Sequence, residues 1–231
     1  MVESLPSWVT FDPRLLTLIP ILVLLEAVLS ADNAIALAAI AQGLEDESLE
    51  QQALNIGLLA AYGLRVALIL TASWVLRFPV FSLAGGVYLL WLVVQHVWRR
   101  SQAETEGAAG RREYSSLWQV IPVIALTDLA FSLDSVTTAI AVAQETWLVL
   151  LGGTIGVLAL RFLAGLFIQW LTIYSHLQDA GYMTVALVGC RLLLRIVRPE
   201  WVPPEWAMTS VIALIFLWGF SARRENPHPQ G

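Results

Sequence analysis

Apolar runs of about 20 residues, separated by short polar segments, recur along this 231-residue chain, and runs of that length match the hydrocarbon thickness of a bilayer. A soluble core of this size shows amphipathic stripes instead. Composition agrees, since 58% of residues are hydrophobic and 13% charged, against about 25% charged in a soluble domain. The pattern predicts an all-α, polytopic membrane protein with about seven transmembrane helices, at 15–41, 53–75, 80–97, 117–143, 147–173, 183–197 and 207–220. Arg191 and Arg195 lie inside the sixth span, near enough to its end to snorkel toward the headgroups. Trp74, Trp98, Trp118, Trp147, Trp170 and Trp206 fall at span ends, where an interfacial aromatic belt places them.

The net charge of −5 comes mostly from acidic loop residues such as Glu45, Asp46, Glu47 and Glu50, and no basic nucleic-acid footprint is present. Cys190 has no partner cysteine, which excludes an internal disulfide, and it reads as a small buried side chain. His96 and His176 sit at span ends and are expected to face the interface, with His228 in the polar tail. The first residues carry Glu3 and Asp12 and lack a basic n-region, so the first span is expected to stay in the mature protein. The Arg99, Arg100, Arg111, Arg112, Arg223 and Arg224 side is arginine-rich. By the positive-inside rule it faces the cytoplasm, which puts the C-terminus inside and the N-terminus outside a plasma or inner membrane, with a thylakoid membrane as the other host considered.

The chain also repeats itself. EAVLSADNAIALAAI from Glu26 echoes DLAFSLDSVTTAIAV from Asp128, so that Glu26, Ser30, Asp32 and Asn33 match Asp128, Ser132, Asp134 and Ser135. The likeness continues into the following spans, which carry Gly57 and Arg65 in one half and Gly153 and Arg161 in the other. Residues 1–98 and 117–198 then form two three-helix repeats joined by a flexible polar loop at 99–116, with a C-terminal helix and tail at 199–231. An odd number of spans per half forces the halves into opposite orientations, the inverted-repeat plan of many secondary transporters.

Within each motif the two acids are about 9 Å apart along a helix axis, so both stay within the hydrocarbon core. Opposed halves bring Asp32 level with Asp128 and Glu26 level with Asp134. On an intact helix the second acid is turned by about 120° from the first. Either the two acids address different neighbours, or the helix opens at the Ser-x-Asp step and backbone carbonyls join the site.

Each intramembrane carboxylate costs about 2.5–3.5 kcal/mol on the insertion scale, so cations must compensate them. Arg65 and Arg161 are the resident candidates, and pairing them with two acids leaves two more. A divalent cation fits that remaining charge. Oxygens of Asp32, Asn33, Asp134, Ser132 and Ser135 make a hard donor set suited to Mn²⁺, Ca²⁺ or Mg²⁺ rather than Zn²⁺ or Cu²⁺. The motifs of an enzyme are missing, with no nucleophile–base pair, phosphate loop or cofactor fingerprint.

The segments LEAVLSADNAIALA and DLAFSLDSV resemble the two signature segments of the TerC family of integral membrane proteins, and AYGLRVALILTASW, LAGGVYLLWL and GVLALRFLAGLF extend the likeness from Leu15 to Phe220. Where the second signature usually continues with proline or a small apolar residue, this chain has Thr137 and Thr138. The resemblance implies a fold grouped with LysE-type exporters and a role in manganese efflux. It implies metal-site residues Glu26, Asp32 and Asn33 in the first segment and Asp128, Asp134 and Ser135 in the second, to which the repeat and the charge balance add Ser30, Ser132, Arg65 and Arg161 as supporting residues. The expected function is export of a divalent cation, most readily manganese, held transiently as cargo by alternating access, with proton exchange as the coupling. Two other classes stay open: a membrane-protein assembly factor, as suggested for some plant and cyanobacterial relatives, and a LysE-like amino-acid exporter.

Overall fold

The computed structural model describes residues 33–44, 47–105, 114, 116–142 and 146–223. Seven helices account for almost all of them: α1 (33–41), α2 (Glu47–Val75), α3 (Pro79–Thr105), α4 (Leu117–Val142), α5 (Thr146–Ile173), α6 (Leu177–Val197) and α7 (Glu205–Gly219), with a 3-10 turn at Pro199–Trp201. Beyond an isolated bridge between Tyr174 and Arg223, no strand occurs among the described residues. Five of the helices, α2 to α6, are long and apolar enough to cross a membrane. The α7 helix has 15 residues, about 22 Å of rise, and falls short of a full crossing. The chain is an all-α polytopic membrane protein, as its apolar runs predict.

Proline sets the helix ends around α7. Arg198 leaves α6 with φ −145° and ψ 79°, because the ring of Pro199 bars the residue before it from the helical region. Pro204 then stands extended ahead of α7, and its carbonyl accepts from the amides of Ala207 and Met208 at 3.0 and 3.2 Å.

Packing pairs α2 with α4 and α3 with α6, and α2 also meets α5. Lipid tails offer no hydrophobic drive for helix association, so contact depends on small residues that let backbones approach. A Cβ on Gly57 of α2 would stand 2.8 Å from Ile124 of α4. Across α3 and α6, a Cβ on Gly86 would stand 3.1 Å from the carbonyl oxygen of Gly189, and one on Gly189 3.2 Å from that of Gly86. The two backbones therefore touch reciprocally. Every residue of α1 is buried, as befits a helix that is apolar nearly all round. The outer helices turn Leu59, Leu70, Val94, Leu158, Phe162 and Leu217 outward, a surface that only a lipid environment accommodates.

Several local expectations need correction. Helix α6 starts at Leu177 rather than near Met183, because Asp179 in its first turn is compensated by Arg100 and lies 3.9 Å from His96. The stretch Arg99 to Thr105 is helical rather than flexible loop. Tyr114, further along the same connection, is buried, and its amide donates to Gly43 at 3.1 Å. Cys190 is exposed on the outer face of α6 instead of buried. His96 turns inward and stacks on Tyr182 with ring centroids 3.6 Å apart. The tryptophan belt stands at Trp74, Trp98, Trp118, Trp147 and Trp206, all exposed, whereas Trp170 packs edge-on against Phe167 and Phe220.

Candidate functional site

The second acidic motif lies on α4, which runs unbroken through it. Asp128 and Asp134 are both buried, and they face different helices, as the angular offset on an intact helix requires. Of the two arrangements open to the sequence, this motif adopts the first.

Asp128 receives Arg65 of α2. The guanidinium Nη2 donates to Oδ1 at 3.0 Å, and the two side chains are 1% and 0% exposed. Gly153 of α5 makes room beside the stem of that arginine, since a Cβ there would meet Arg65 Cδ at 3.7 Å. Ser132 donates to the Asp128 carbonyl at 2.7 Å, and its hydroxyl lies 3.4 Å from the carboxylate Oδ2. Tyr88 of α3 closes the flank, donating to the Val123 carbonyl at 3.2 Å and lying 3.3 Å from the Thr127 hydroxyl.

Asp134 lies closer to the other end of α4 and receives two arginines from α6. Arg191 Nη1 contacts Oδ2 at 2.6 Å, and Arg195 Nη1 contacts Oδ1 at 2.7 Å. The spacing of four residues puts both guanidiniums on one helix face. Arg191 also pairs with Glu205, in the first turn of α7. Neither α6 arginine snorkels away from the site, because a buried carboxylate offers a better partner than the headgroups. Arg161, the other expected counter-charge, instead donates to the side-chain oxygens of Asn55 and, at 3.3 Å, Gln51 on α2.

Asn33 opens the described part of α1 and is buried. Three residues on, Ala36 clusters with Ala130 and Phe131 of α4 and with Val185 of α6. Ser135 donates to the Ser132 carbonyl at 3.4 Å. Glu26, Ser30 and Asp32, expected to complete the first motif, lie outside the described residues. Among the described residues, no three His, Cys, Asp or Glu side chains gather as a metal cluster.

The sequence profile of the integral membrane protein TerC family matches residues 11–226. The chain belongs to the TerC family. Among its relatives, the membrane protein YceF of Bacillus subtilis is 32% identical over 186 residues, covering 78% of this chain and 72% of YceF. The inner membrane protein YgdQ of Escherichia coli K12 is 30% identical over 203 residues, covering 81% of this chain and 84% of YgdQ. YkoY of Bacillus subtilis is 28% identical over 190 residues, and the match spans 58% of its length. No solved structure matches the chain.

Within this TerC protein, the residues that sequence reasoning left outside the site are Arg191, Arg195 and Glu205. A signal for the first two was present, because a pair of arginines four apart in an apolar segment marks one charged stripe that needs a buried acid. Glu205 carried none, since it follows Pro203 and Pro204 at the start of a short helix.

Proposed function

We propose that this TerC family protein exports a divalent cation, with manganese the leading cargo, by alternating access around its intramembrane carboxylates. The observation that carries the reading is the placement of Asp128 and Asp134 on one continuous buried helix, each held by arginine side chains from a neighbouring helix. Acids at this depth are costly and mark ion pathways by default. The hydroxyls of Ser132 and Ser135 and the amide of Asn33 lie on the same and the adjoining buried helices and supply hard oxygen donors, which favour Mn²⁺ and Ca²⁺ over softer ions. Asp32 and Glu26 of the first motif add the remaining charge by sequence equivalence.

The inverted repeat supplies the motion. Gly86 and Gly189 belong to the third span of each half, and their reciprocal approach is the contact expected where a two-fold axis in the membrane plane passes between equivalent helices. Proton exchange is the proposed coupling, with carboxylates that take up protons as the metal departs.

A second reading draws on the cluster of Arg191, Arg195, Asp134 and Glu205. Two guanidiniums beside two carboxylates are the complement of a zwitterion, as an amino-acid exporter requires. Purified protein in liposomes, given Mn²⁺, Ca²⁺, Mg²⁺ and Zn²⁺ in competition and basic amino acids in parallel, separates the two. Manganese flux without any partner protein is the expected result. Amino-acid flux alone selects the second reading, and no flux at all favours an assembly role.

A further inference from the structure

The ion pairs at Asp134 carry a consequence for how cargo is released, which rests on the export reading above. The four charged side chains form a graded series. Asp134 and Arg191 are 9% and 7% exposed, Arg195 is 32% exposed and Glu205 46%. The series runs from the interior toward the end of the bundle where α6 stops and α7 begins. Its charges sum to zero. A divalent ion that takes Asp134 while both guanidiniums remain in place meets two positive charges at hydrogen-bond distance, so the arginines and the cargo exclude one another.

We propose that Arg191 and Arg195 are tethered cations that compete with the cargo for Asp134, and that Glu205 is the acceptor onto which Arg191 withdraws while cargo is bound. Arg191 already bridges the two carboxylates, one through Nη1 and the other through Nη2. Its withdrawal therefore needs the loss of one contact and no new partner. Arg195, 32% exposed against 7% for Arg191, lies close to the end of α6 and is the less enclosed of the two. When the ion leaves toward that end, the guanidiniums return to the carboxylate. Asp134 is thereby neutralised by residues that cannot leave the protein, and the same ion is hindered from rebinding.

A static lock joining α4, α6 and α7 is the competing account, and the two predict different signs. In the tethered-cation account, Arg195→Gln removes a competitor and tightens Mn²⁺ binding, whereas Glu205→Gln removes the withdrawal site and weakens it, each by about fivefold, the size of a partly exposed charge pair. In the static account both variants only loosen the bundle, which lowers thermal stability and leaves affinity alone. The test is Mn²⁺ titration calorimetry on the purified full chain and both variants, with thermal unfolding measured separately. Both substituted side chains are partly exposed, so the variants are expected to fold. Opposite shifts in affinity support the proposal. Binding by the parent with equal affinity in both variants, or shifts of the same sign, overturns this inference and leaves the export reading intact. Absence of Mn²⁺ binding by the parent overturns both.

Discussion

Arg65 of α2 and Asp128 of α4 meet at 3.0 Å with almost no access to solvent on either side. Removing the arginine takes the counter-charge from a fully buried carboxylate, which costs about 3–5 kcal/mol, while removing both members of such a pair can be nearly neutral. Arg65→Gln is expected to lower the folded yield sharply and Asp128→Asn to lower it less, with the double variant recovering most of what Arg65→Gln loses. Fluorescence-detected size-exclusion profiles of the four proteins check this. A double variant as poor as the worse single one means that the pair is not the unit of stability.

Asp134 and Asp32 are equivalent members of the two motifs, and both are proposed to hold the cargo. Asn keeps shape and hydrogen bonding while removing a charge, and the buried Arg191 that Asp134→Asn leaves behind still has Glu205 as its counter-charge. Asp134→Asn and Asp32→Asn are expected to reach the membrane at parental levels yet fail to relieve manganese toxicity in a sensitised host. Export at the parental rate by both would rule out these acids as ligands and return the assembly role to first place.

Metal binding to carboxylates that carry protons releases those protons, so affinity rises with pH. In lightly buffered detergent solution, adding Mn²⁺ is expected to acidify the medium, with a smaller proton yield per metal in Asp32→Asn. An affinity unchanged between about pH 5.5 and 8 would exclude proton exchange while leaving metal transport possible.

The glycine contact between α3 and α6 leaves no room for a side chain on Gly86. A Cβ on Gly86 would lie 2.9 Å from Leu193 and 3.1 Å from the Gly189 carbonyl. Gly86→Val is therefore expected to lower the melting temperature in detergent. Gly63 of α2 has nothing within 4 Å of its Cβ position, so Gly63→Ala is expected to stabilise slightly, by about 0.5–1 kcal/mol from helix propensity. Equal melting temperatures for the two variants would show that the close approach is not needed.

Arg100 pairs with Asp179 at the start of α6, and the Ser175 amide donates to Ala222 at 3.1 Å. The end of α3 and the chain beyond α7 therefore share one face of the bundle. Reporters fused after Arg112 and after Gly231 are expected to read the same side, and the arginine count makes it the cytoplasm. Opposite readings would contradict the packing itself; two external readings would only invert the orientation.

Much of the fold is legible because a bilayer enforces a simple rule, that apolar runs of sufficient length become helices. The rule fails where polar residues find partners across the bundle. Asp179 shortened the apparent sixth span because its compensation comes from Arg100 and His96, both about 80 positions away in sequence. The Arg65 pairing was readable, since a lone cation in an apolar span must meet an acid, and the repeat named the acids. The partners of Asp134 were not, because a local rule about span ends assigned Arg191 and Arg195 to the headgroups. Which way a side chain near a membrane boundary turns depends on tertiary neighbours, and a single sequence does not order those.

The unbroken course of α4 makes Asp128 and Asp134 two attachment points on one stiff rod. Six residues of helix hold them about 9 Å apart along the axis, and neither can shift along it without carrying the other. Arg65 grips one point from α2, and Arg191 with Arg195 grips the other from α6. A displacement of the rod along its axis would therefore strain both grips together.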